Sequence, residues 1–207
     1  MKKILFLLAF GFILFISANG ASAAEKGHYP TAKEIDALNL ELNELVEKAN
    51  VKLANGEKNF ELKGKNLKVG FKEKNSAPSS LEEGQLHYSS IAIAAVGSKE
   101  YQAYVANTNG WNFSHAVGGT FSWNGSYLTA VTARAETTGI MYSRSESTKV
   151  EGLDGLINGS SAKVARVTSN GKFTALKYTP ISYYTTLVVE VNAPNREYRI
   201  TTAKITS

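Results

Sequence analysis

The chain predicts a mainly β protein: an antiparallel β-sandwich or barrel preceded by one amphipathic α-helix and a small β-hairpin. Three observations carry that expectation. From His87 onward the chain holds both tryptophans and nine of the ten tyrosines among frequent threonine, serine and valine, which is strand composition. Asn-Gly pairs, a strong hairpin signal, punctuate this stretch at 109–110, 124–125, 158–159 and 170–171. Earlier in the chain, apolar residues recur at three- and four-residue steps, the period of a helix face.

The N-terminus reads as an export signal. Lys2 and Lys3 precede an uninterrupted apolar run over residues 4–16, and a small-residue stretch ends in Ala21-Ser22-Ala23. That order matches a secretory signal peptide cut before Ala24. A spanning helix needs about 20 apolar residues, and this run stops well short of that at Asn19 and Gly20. With no cysteine to take a lipid, the expected product has no stable membrane anchor and is secreted. The organisation expected is 1–23 signal peptide, 24–85 helix plus hairpin, and 86–207 antiparallel β domain.

Composition narrows the function classes. The formal charge of +5 includes Lys2 and Lys3, so the processed chain carries +3, too mild for the dense basic face of a nucleic-acid binder. The absence of cysteine removes thiol catalysis, redox chemistry and cysteine-ligated metal, and leaves the core to hold the fold.

The helix follows Pro30. Thr31 and Glu34 stand as N-cap and N3 of a capping box. Ile35, Leu38, Leu42, Leu45, Ala49 and Leu53 form the apolar stripe, and Asn55-Gly56 is the stop signal. Phe60 and Leu62, then Leu67, Val69 and Phe71, alternate on either side of Gly64-Lys65-Asn66, which predicts a hairpin. Its lysines are interleaved with Glu57, Glu61 and Glu73, so they read as edge-strand charges rather than a polyanion site. Residues 73–85 are polar and turn-rich, a linker or long loop.

In the β region, strands are expected near 87–96, 100–108, 111–123, 126–136, 138–150, 162–169, 172–178, 182–192 and 197–206. Residues 91–96 are apolar on both faces and predict a central strand, whereas Leu187, Val189 and Val191 alternate with a partly exposed face. The most informative stretch runs from Trp111 to Trp123. Every large side chain there is odd-numbered: Trp111, Phe113, His115, Val117, Phe121 and Trp123. A two-residue turn at Gly118-Gly119 would split that set between faces, so a strand continuing through the glycines, or a three-residue turn, is expected. This aromatic face reads as core in a cysteine-free sandwich. The competing reading is a sugar-stacking platform, which makes Trp111, His115 and Trp123 the candidate ligand contacts.

No catalytic constellation is legible. The three histidines, His28, His87 and His115, are too far apart in sequence to form a metal motif, and no cofactor or metal site is indicated. Ser160-Ser161-Ala162-Lys163 matches S-x-x-K only in composition, without its companion motifs. Glu136 and Glu146, close to Arg134 and Arg144, are the carboxylate pair that glycoside chemistry would draw on. The function expected is a secreted, non-enzymatic interaction protein binding a protein or cell-surface polymer. The alternatives are a membrane-active, toxin-like β protein using residues 127–148, a carbohydrate-binding module, or a glycan hydrolase.

Overall fold

The structure is a computed structural model, which describes residues 31–74, 96–107, 113–139, 142–153, 162–175 and 182–207. Helix α1 (Ala32–Ala54) begins at the expected box: the Thr31 hydroxyl accepts from Glu34 N–H, and the Thr31 N–H donates to the Glu34 carboxylate at 2.7 Å. It ends at Asn55, followed by Gly56 at φ +82°, a conformation that favours glycine.

Among the described residues ten strands follow, in two antiparallel sheets. The first sheet contains β1 (Asn59–Lys63), β2 (Leu67–Lys74), β3 (Val96–Asn107) and β4 (Phe113–Asn124) in that order. Two short strands share the far side of β4: β5 (Tyr127–Val131) pairs with residues 121–124 and β6 (Arg134–Gly139) with residues 113–118. The second sheet has the order β10-β9-β8-β7, from β7 (Tyr142–Gly152), β8 (Val164–Ala175), β9 (Ser182–Asn192) and β10 (Glu197–Thr206). The two sheets face each other across a shared core, the sandwich alternative rather than a closed barrel. Because β2 pairs with β3 over eight residue pairs, helix, hairpin and later strands bury their apolar sides together.

The helix also closes an edge. Asn39 and Asn50 each clamp one residue of β10: their amides donate to the carbonyls of Ile205 and Ile200 and accept from the same residues' N–H groups. Eleven helical residues rise about 16.5 Å, and five strand residues span about the same. The two asparagines therefore stand in for a neighbouring strand at two points along β10, and satisfy those points of an edge that would otherwise template aggregation. On the opposite flank of the helix's buried stripe, the Glu41 carboxylate accepts from the Asn66 and Leu67 N–H groups and holds the β1–β2 turn. Burial raises its pKa, but these backbone donors more than offset that and leave it below the usual carboxylate value.

Several details differ from the sequence expectation. Strand 126–136 is two strands, broken at Thr132-Ala133, where Thr120 and Thr132 exchange hydrogen bonds and the Thr132 carbonyl occupies the space a side chain on Gly119 would need. Strands 162–169 and 172–178 are instead one strand, β8, running straight through Asn170-Gly171. Gly171 is a packing glycine: a Cβ there would lie 2.8 Å from Thr185 Oγ1 and 3.1 Å from Thr137 Cγ2. Asn124-Gly125 does form a hairpin turn, with Gly125 at φ +61°. Val96 is exposed rather than central, and the rest of 87–95 lies outside the described residues. β9 is buried on both faces from Leu187 to Val191: its inner face meets the core, and on its outer face the Arg166 and Arg199 side chains close over Glu190.

Candidate functional site

β4 runs without a break through Gly118-Gly119, so its residues sort cleanly by parity. Phe113, His115, Val117, Phe121 and Trp123 all face the space between the sheets and are buried. Phe113 lies 5.3 Å from the Phe173 ring of the second sheet, and Phe121 meets Tyr198 edge-on at 6.1 Å. Of the three candidate contacts, Trp111 lies outside the described residues, and the other two line the interior. Trp123 packs over Gly97, where a Cβ would come 2.5 Å from its ring, and the Arg196 guanidinium stands 5.9 Å from its ring centre.

His115 is fully buried and ties the sheets together. Its Nε2 lies 2.8 Å from Ser169 Oγ on β8, and its Nδ1 lies 2.8 Å from Thr185 Oγ1 on β9. Either ring tautomer is satisfied, because hydroxyls both donate and accept. Burial pushes the imidazole down from 6.5 to about 4, with the Glu146 charge pulling weakly the other way. A Ser-His contact of this length is the geometry of an activated nucleophile. Here the residue on the far nitrogen is a threonine rather than a carboxylate, and Ser169 has no exposed surface for a substrate to reach. The trio is an interior polar rivet.

Glu136 and Glu146 are not a pair. Glu146 accepts from Thr137 Oγ1 at 2.7 Å on the side facing the core rim, and Arg144 donates to the Thr137 carbonyl. Glu136, next to Thr137 on β6, points to the opposite face of the first sheet. The even-numbered charges of β6 and β7 therefore do not share a face, because the two strands belong to different sheets. Ser160 and Asp154 lie outside the described residues.

The even-numbered face of β4 is the open one. Ala116 and Gly118 leave almost no volume there, and the longer side chains of the flanking strands rise on either side. The result is a cavity of about 580 Å³ on the outer face of the first sheet. One register row crosses it: Asn59, Lys72, Gln102, Gly118 and Arg134, on β1, β2, β3, β4 and β6. At about 4.8 Å per strand the row extends roughly 19 Å. Glu100 and Glu136 stand at its two margins, four residues and two strands apart in register, roughly 16 Å between backbones. Beside the groove, Tyr104 lies over Gly70, its direct cross-strand partner, where a side chain would run into the ring, and its hydroxyl donates to Glu61 on β1.

In the sequence the aromatic parity of β4 stands out and the small parity does not. The signal was present in Ala116 and Gly118, but only the register with β3 and β6 reveals that they floor a groove.

A third polar assembly lies on the outer face of the second sheet. Glu190 accepts from Arg166 at 2.9 Å and from Arg199 at 2.8 Å, a cross-strand ladder over three strands. Burial raises the carboxyl pKa, and the two guanidinium partners lower it further than that, below its ordinary value. With its charge matched twice, Glu190 is a fastening between strands.

Among the described residues no group of three or more His, Asp or Glu side chains is placed to hold a metal ion, and no helix is long and apolar enough to cross a membrane. Compared with known protein families, curated proteins and solved structures, the chain matches none.

Proposed function

We propose that this chain is exported, freed of residues 1–23, and acts as a non-enzymatic interaction protein that holds a cell-surface, matrix or protein partner on the outer face of its first sheet. The groove over Ala116 and Gly118 carries the reading: it is a concave surface with convergent polar side chains on rigid strands, the form a preformed binding site takes. Export is supported by the basic start, the apolar run and Ala21-Ser22-Ala23. The non-enzymatic reading is supported by the burial of His115 and Ser169, which keeps that pair from any substrate.

Two measurements test it. Secreted protein should begin at Ala24 by N-terminal sequencing, and an intact Met1 start would contradict export. Labelled 24–207 protein should bind envelope or matrix material from the producing cells. Gln102→Trp, which fills the middle of the groove, should abolish that binding while leaving the melting temperature in place. Equal binding by Gln102→Trp would remove the groove from the account.

A further inference from the structure

We infer that the groove takes a neutral oligosaccharide; this deepens the proposed function and rests on it. Charge is the first reason. The lining carries two cations, Lys72 and Arg134, and two carboxylates, Glu100 and Glu136, so its formal charge is zero. A polyanion such as nucleic acid or a phosphate-bearing polymer gains affinity by neutralising a run of charge, and the groove lining offers no surplus of either sign.

Backbone chemistry is the second reason. β4 is laddered to β3 on one side and to β5 and β6 on the other, so the groove floor lies on a sheet face and the strand beneath it is not an edge. Extended peptides draw much of their affinity from main-chain bonds to a sheet edge, and the groove floor offers none; one edge of this sheet is β1, at the margin of the row.

The side-chain set is the third reason. Amide, carboxylate and guanidinium groups suit a ligand with many hydroxyls, each able to donate and accept. Tyr104 completes the set. One row from Gln102 on the same face, its ring rests on Gly70 and is half-buried, a flat apolar surface beside the polar row for the C–H face of a pyranose. A row of roughly 19 Å suits a short oligosaccharide better than a single sugar.

The experiment is amide chemical-shift mapping on the 24–207 protein, with millimolar hexasaccharides of β-1,4-glucose, α-1,4-glucose, N-acetylglucosamine and mannose. Inorganic polyphosphate and an uncharged hexapeptide serve as the other arms. The inference expects saturable shifts at Gln102, Gly118 and Glu136 with at least one hexasaccharide. Gln102→Ala and Glu136→Ala should each weaken binding about tenfold at unchanged melting temperature. Tyr104→Leu should weaken it while Tyr104→Phe retains it. If none of the four saccharides moves these amides, the glycan inference is wrong. If polyphosphate or the peptide moves them instead, the groove stands as the binding site and only its ligand class is overturned. If a saccharide binds with shifts elsewhere, undiminished in Gln102→Trp, the groove itself is the wrong site.

Discussion

The two faces of β4 are built from the same twelve residues and have opposite fates. On the inner face, five large side chains alternate with nothing polar but His115, and that histidine is matched on both nitrogens by the opposing sheet. On the outer face, Ser114, Ala116, Gly118, Thr120 and Ser122 supply little bulk, and the neighbouring strands enclose the space they leave. Aromatic density, which draws the eye as a binding signal, here marks what the protein needs for itself. The site candidate is made by missing volume between polar walls.

The comparison breaks most visibly by truncation on adjacent residues. Phe121→Ala should cost about 3–5 kcal/mol, because a fully buried ring is lost to a cavity. Thr120→Ala, one residue away on the groove side, should stay within about 0.5 kcal/mol. Urea unfolding of the two variants reads both values, and similar losses would mean that the outer face is packed too.

Acid should weaken the inner face next. The folded-state pKa of His115 is depressed from 6.5 to about 4, so the unfolded chain takes up the proton first as pH falls. The resulting stability is fully present above about pH 6.5, declines through the window down to pH 4, and is lost below it, a total of about 3 kcal/mol. In the upper part of that window, above the carboxylate range, His115 is the histidine among the described residues that contributes to the slope. His115→Gln should flatten the slope there, and an unchanged pH profile would mean that the ring is not held neutral by burial.

A smaller effect is expected at the clamped edge. Asn50→Ala leaves the Ile200 N–H and carbonyl without their side-chain partner and should cost about 1–3 kcal/mol. Light scattering of this variant at high concentration should also show self-association through β10, whereas wild type stays dispersed. The smallest effect belongs to the groove walls: Gln102→Ala and Glu136→Ala should each move stability by no more than about 0.5 kcal/mol.

What was legible in the sequence followed from local physics. The capping box at Thr31 and Glu34 and the turn at Asn124-Gly125 each meet a local backbone requirement, so residue identity alone reveals them. The inner parity of β4 was legible because a strand's period of two needs no partner to be seen. Asn170-Gly171 misled because the same dipeptide served another purpose, close approach of Thr185 and Thr137 to β8. The groove and the Arg166–Glu190–Arg199 ladder were hidden because both depend on register between strands far apart in the chain. The clamp by Asn39 and Asn50 left a faint trace, two amides eleven residues apart beside the apolar stripe, whose meaning requires knowing that a strand runs alongside.

The face division can be tested directly because the native chain contains no cysteine. Single thiols placed at Gln102 and Thr120, on the groove side, are set against single thiols at Ala103 and Val117, a cross-strand pair on the core side. Native-state reaction with an aromatic disulfide reagent is then timed for each. The account predicts that the Gln102→Cys and Thr120→Cys proteins react at a rate close to that of an exposed thiol, while Ala103→Cys and Val117→Cys react only as fast as the protein unfolds. Fast labelling at 103 and 117, or protection at 102 and 120 matching theirs, would contradict it.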